Sequence, residues 1–121
     1  MRCAVSVADV VTWMGDDREV LIQILELADQ GIGEHREVME GALQPGGSIE
    51  EAGNAAHRLA NTCSVLREPT LFGVMNEIEA NSKRGDTESV AALWEMCRAA
   101  LEDLHNEVRQ ELQKNGRRSG I

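Results

Sequence analysis

Residues 48–66 read SIEEAGNAAHRLANTCSVL. The opening Ser48-Ile49-Glu50-Glu51 has the form of a capping box, in which the Ser48 hydroxyl accepts the Glu51 amide and Glu51 reaches back. Ala52, Ala56, Leu59, Cys63 and Leu66 then recur at steps of three and four, which is one face of a helix. Pro69 closes the segment, because the residue before a proline avoids the α conformation. At about 100° per residue, His57 lies roughly 130° from the centre of the apolar face. Gly53, Ala60, Asn61 and Ser64 share its side of the helix, where Glu, Lys, Arg and Gln are ordinary. The pattern predicts an exposed imidazole in a clearing of short side chains, open to close approach by another protein.

Outward from this segment, Gly and Pro divide the chain into four further helices. The first is expected from about Val7 to Met14, with Ser6 as N-cap and Gly15 as stop. It is too short to stand alone, so Val7, Val10, Val11 and Met14 must dock on something. The second begins after Asp16 or Asp17. Its stripe is Leu21, Ile24, Leu25, Ala28, Ile32, His35, Val38, Met39 and Ala42, and Gln44-Pro45-Gly46-Gly47 ends it. Gly31 and Gly33 inside it cost about 1 kcal/mol each relative to Ala, so a bend or a close helix crossing is expected there. His35, on the stripe, is expected to be a hydrogen-bonded core histidine.

The fourth helix is expected from about Thr70 to Arg84, with Leu71, Val74, Met75 and Ile78 inward. Lys83 and Arg84 suit its negative end, and Gly85 its C-cap. The fifth starts at Asp86 or Thr87 and carries Val90, Leu93, Trp94, Cys97, Leu101, Leu104, Val108 and Leu112. Asn115-Gly116 is expected to end it. His105, near that end, suits the helix dipole and is given no chemistry. Short connections force neighbouring helices to run antiparallel. The expected fold is therefore all-α: an up-down four-helix bundle over residues 1–115 with a short additional N-terminal helix capping one end. Residues 116–121 are expected to form a disordered tail.

Composition agrees. Aromatic residues are 2% of the 121 (Trp13, Phe72 and Trp94, with no Tyr), which argues against a sheet protein. Twelve Lys and Arg against 21 Asp and Glu leave a net charge of −9, which repels nucleic-acid phosphates and anionic membranes. No apolar run reaches the roughly 20 residues of a membrane span, and the N-terminus lacks a signal peptide's apolar stretch, so a cytoplasmic location is expected. Cys3, Cys63 and Cys97 are odd in number and lack a CxxC spacing. They read as reduced thiols that fill the core, not as a zinc site. No Gly-rich phosphate loop is present, so ATP is not expected to bind.

Ala56-His57-Arg58-Leu59, followed by Asn61-Thr62-Cys63-Ser64-Val65-Leu66, resembles the signature of histidine-containing phosphotransfer domains. The resemblance extends from about Ser6 to Leu112. It takes in the short leading helix, Asn76-Glu77-Ile78-Glu79 and the Gly85-Asp86 hairpin. It implies a four-helix bundle that carries a phosphoryl group on His57 and relays it between receiver-domain aspartates. The protein would be a phosphocarrier without turnover of its own. It would have no cofactor, Mg²⁺ belonging to the partner receiver. The implied partners are response-regulator receivers and a hybrid sensor histidine kinase, met by a monomer.

By the same resemblance Glu79 hydrogen-bonds the imidazole Nδ1, and Lys83, one turn on, supplies positive charge. Gly53, Arg58, Ala60, Asn61 and Ser64 form the docking face, with Arg58 pointing about 100° away from His57. The family reads His-x-Leu-Lys-Gly. Here Ala60 stands for the Lys and Asn61 for the Gly, and a later glycine is replaced near Arg67. These departures favour an alternative, a degenerate module that docks a kinase or receiver without transfer. A metal-binding helical bundle would need Glu-x-x-His motifs on facing helices, and a single such spacing, Glu102 to His105, makes no pair.

Overall fold

The computed structural model describes residues 1–14 and 17–119; of Met14 and residues 116–119 only the backbone is described. Gly15, the expected stop of the first helix, and Asp16, one of the two residues after which the second is expected to begin, lie outside the described residues, as do Gly120 and Ile121 of the expected tail. The described chain is all-helical: α1 (Val7–Met14), α2 (Arg18–Ala42), α3 (Ile49–Val65), α4 (Pro69–Lys83) and α5 (Thr87–Ser119). Helices α2, α3, α4 and α5 pack each on the next, α5 packs back on α2, and α1 lies on α5.

Local chemistry sets the boundaries. The Ser6 hydroxyl accepts the Asp9 amide, Asp17 accepts the Val20 amide and Ser48 accepts the Glu51 amide, each at a helix start. Asp86 opens α5 by accepting both the amide and the hydroxyl of Ser89. At the far end of α4, the Gly85 amide returns to the Ser82 carbonyl and the Asp86 amide to that of Asn81, with Gly85 at φ 73°. That is the glycine-closed Schellman turn.

The α3–α4 junction differs from the sequence reading. The end of α3 is made by the same turn: the Arg67 amide bonds Ser64 and the Glu68 amide bonds Cys63, with Arg67 at φ 55°. Pro69 is the first residue of α4, where its fixed φ suits the helix and its missing N–H costs nothing. Helix α5 likewise runs past Asn115-Gly116 to Ser119. One glycine costs a helix only about 1 kcal/mol, and the Arg18 guanidinium donates to the Asn115 carbonyl at 2.7 Å, tying this stretch to α2.

The core is aliphatic: Leu25, Ile32, Met39, Leu59, Leu66, Leu71, Met75, Ile78, Leu101 and Leu104, with Trp94 whose indole N–H donates to Glu40. The α2 stripe is narrower than the periodicity predicted. Val38 is exposed, and Ile24 and His35 are only half-buried. Gly31 does mark a close crossing, since a Cβ there would stand 3.3 Å from Thr62 Oγ1 on α3. Among the described residues no helix is long and apolar enough to cross a membrane.

Candidate functional site

His57 stands on the outer face of α3, its side chain 58% exposed. Across the groove, Glu79 of α4 places its carboxylate oxygens 3.3 Å and 3.1 Å from His57 Nδ1. An ionised carboxylate has no proton to give, so Nδ1 is the donor. In the neutral ring Nε2 then keeps a bare lone pair. Lys83, one turn beyond Glu79, puts Nζ 3.7 Å from Glu79 Oε2 and is 76% exposed. Below the trio, toward the α3 start, lies an open groove of about 520 Å³ lined by Ile49, Glu50, Gly53, Asn54, Ser82 and Gly85 as well as Glu79 and Lys83.

The expected clearing is only half present. Asn61 and Ser64 are exposed on the histidine's side, but Gly53 and Ala60 are buried. The reason is that α3 is wedged between α2 and α4, so its core face is wider than one stripe. Gly53 lies against Ser82 of α4, and Ala60 joins the core. Neither offers a side chain to a docking protein. Arg58 is exposed toward α2, where its charge bears on His35.

His35 makes no side-chain hydrogen bond among the described residues, against the expectation from its stripe position. Partial burial, and then the Arg58 guanidinium, hold its pKa below the ordinary histidine value, with Glu34 pulling the other way. His105 differs more. It is buried in mid-helix, with Nε2 2.6 Å from Asp29 Oδ1, and Arg109 Nε donates to the same oxygen at 3.1 Å. Burial works to raise the Asp29 pKa, but these two hydrogen bonds together with the charges of His105 and Arg109 outweigh it and hold the carboxyl below the usual range. The spacing of His105 and Arg109 was visible in sequence; Asp29, 76 residues earlier than His105, carried no signal.

Glu68 was missed altogether. It is completely buried, and its carboxylate accepts the amides of Ala4, Val5 at 3.2 Å and Leu71 at 2.7 Å. An acidic residue just before a Pro that opens a helix is a cap signal, and it was there to be read. The three thiols are free. Burial foremost pushes Cys63 up to about 12 and Cys3 and Cys97 to about 11. Among the described residues, no group of three or more His, Cys, Asp or Glu is placed to hold a metal ion.

No protein-family model, curated protein or solved structure matches this chain.

Proposed function

We propose that this chain is a phosphohistidine carrier: an antiparallel up-down four-helix bundle that relays a phosphoryl group between receiver-domain aspartates through His57. One observation carries the reading: the exposed imidazole has Nδ1 within hydrogen-bond distance of the Glu79 carboxylate, which favours the tautomer that leaves Nε2 as the nucleophile. The bundle topology is supported by pairs whose numbers fall on one helix as they rise on the other. These are Gly31–Thr62 and His35–Arg58 for α2 and α3, Gly53–Ser82 and His57–Glu79 for α3 and α4, and Arg18–Asn115, Asp29–His105 and Glu40–Trp94 for α2 and α5.

The chemistry asks little of the carrier. The Nε2 lone pair attacks phosphorus of an aspartyl phosphate on the partner. The P–O bond to the aspartate breaks, the carboxylate leaves, and the N–P bond forms. Nε2 carries no proton, so none has to be removed. The ring gains positive charge, which the Glu79 carboxylate stabilises through Nδ1–H. The partner's Mg²⁺, when bound, neutralises the phosphoryl oxygens. Transfer to a second receiver reverses these steps, and the protein is a cytoplasmic monomer that completes no turnover alone.

Incubation with a phosphorylated receiver, or with phosphoramidate as a small donor, tests the reading. An acid-labile, base-stable label is expected, lost in His57→Gln and kept in His35→Gln. A label that survives His57→Gln overturns the assignment. The second reading, docking without transfer, is favoured by Ala60, an uncharged and buried residue where the resembled family has a lysine. Receiver binding with no label from either donor would establish it.

A further inference from the structure

Gly53 was assigned from sequence to the docking face, yet it is buried against α4 one turn before His57. A Cβ built on Gly53 would collide with Ser82 Oγ and stand 2.9 Å from Ser82 Cβ, where ordinary contact begins at 3.4 Å. Ser82 lies three residues after Glu79, and its hydroxyl donates to the Ile49 carbonyl at 2.7 Å, stitching α4 to the first turn of α3. The two halves of the candidate site, His57 on α3 and Glu79 on α4, are thus flanked by a crossing that only a residue without a Cβ permits.

We infer that the Gly53–Ser82 crossing is the positioning device of this site: it sets the α3–α4 separation at which Glu79 reaches Nδ1 and so fixes the tautomer of His57. The inference rests on the phosphocarrier reading for its purpose but on geometry alone for its truth. A methyl group at position 53 can be relieved in part by swinging the Ser82 hydroxyl away, which breaks its bond to Ile49. The Ser82 Cβ cannot swing. The helix backbones must then part by about half an ångström, because packed interiors have no slack. The Nδ1–Glu79 bond is already at 3.1 Å and 3.3 Å, the long edge of hydrogen bonding, so it is the contact that yields.

Imidazole ¹⁵N shifts of His57 read this directly, because a protonated and a bare ring nitrogen differ widely. The unaltered protein is expected to show Nδ1 protonated and Nε2 bare. Gly53→Ala is expected to shift His57 toward the mixed tautomers of a free imidazole, and to slow phosphoramidate labelling severalfold. Combining it with Ser82→Gly, which removes both clashing atoms, is expected to restore the shifts. An unchanged His57 signature in folded Gly53→Ala overturns the inference, as does failure of the double variant to restore it. Should Gly53→Ala not fold, Ser82→Thr crowds the same crossing from α4 and is read by the same shifts, with the same outcomes. Shifts that move as expected in a protein that never labels would sink the phosphocarrier reading and leave the positioning role standing.

Discussion

His57 and Lys83 are separated by one carboxylate, and that arrangement sets what each can contribute. On the proposed function, a phosphoryl group would bring about two negative charges onto a protein already at −9. Ala60 supplies no cation, and Lys83, held 3.7 Å from Glu79, is the charge on the facing helix that a phosphoryl group on Nε2 would meet. Exposed charges interact weakly and are screened by salt. Lys83→Ala is therefore expected to slow transfer severalfold at low salt and by less at high salt, measured as the rate of transfer from one receiver. A rate equal to the unaltered protein's at low salt would make Lys83 surface decoration. Ala60→Lys, which would restore the lysine of the family that the sequence resembles, is expected to lower the unfolding midpoint, because residue 60 is in the core. His57→Gln should leave that midpoint nearly unchanged, since exposed positions rarely carry stability.

At the scale of elements, the α3–α4 junction holds the protein's most unusual chemistry. Arg67 occupies a left-handed conformation that costs a non-glycine residue about 1–2 kcal/mol. Its guanidinium lies 5.9 Å over the Trp13 ring, a contact worth about 0.5–1 kcal/mol at an exposed site. The second value offsets much of the first, which accounts for an arginine where a glycine would be easier. Beside it, Glu68 caps α4 and holds the N-terminal arm through Ala4 and Val5. Glu68→Gln turns one acceptor into a donor facing those amides, at an expected cost of about 1–3 kcal/mol by chemical denaturation. The arm carries Cys3, whose thiol is pushed up to about 11 by burial and then by the Glu68 charge. The same variant is therefore expected to speed native-state alkylation of Cys3 while Cys63 and Cys97 stay protected. Equal labelling of Cys3 in both proteins would show that Glu68 does not hold the arm.

At the scale of the whole molecule, α2 and α5 are joined along their length by polar contacts at the core's edge: Arg18 to Asn115, Asp29 to His105 and Arg109, Glu40 to Trp94 and Arg98. The middle cluster, Asp29 with His105 and Arg109, gives stability a pH dependence. The Asp29 pKa is lowered in the folded protein, so its contribution is present above the unfolded value and is lost as pH falls through the folded one. Asp29→Asn is expected to be less stable than the unaltered protein near neutrality, with the gap closing below about pH 4. Thermal unfolding at a series of pH values measures this, and a gap that persists unchanged to strong acid would exclude the linkage.

Sequence alone determined the helical nature of the chain, the starts of α1, α2, α3 and α5, the Gly85 turn, and an imidazole off the core face of α3. All of these follow from period, caps and backbone preference, which act over a few residues. Tertiary structure decided the rest. It buried Gly53 and Ala60, because a helix held between two neighbours has two inward faces and a single stripe shows one. It turned His105 from a helix-end cation into a buried partner of Asp29, and it drew Glu68 under the N-terminal arm. Each of these outcomes depends on residues far apart in the chain meeting across a helix interface, and no local spacing encodes which residue the fold brings opposite.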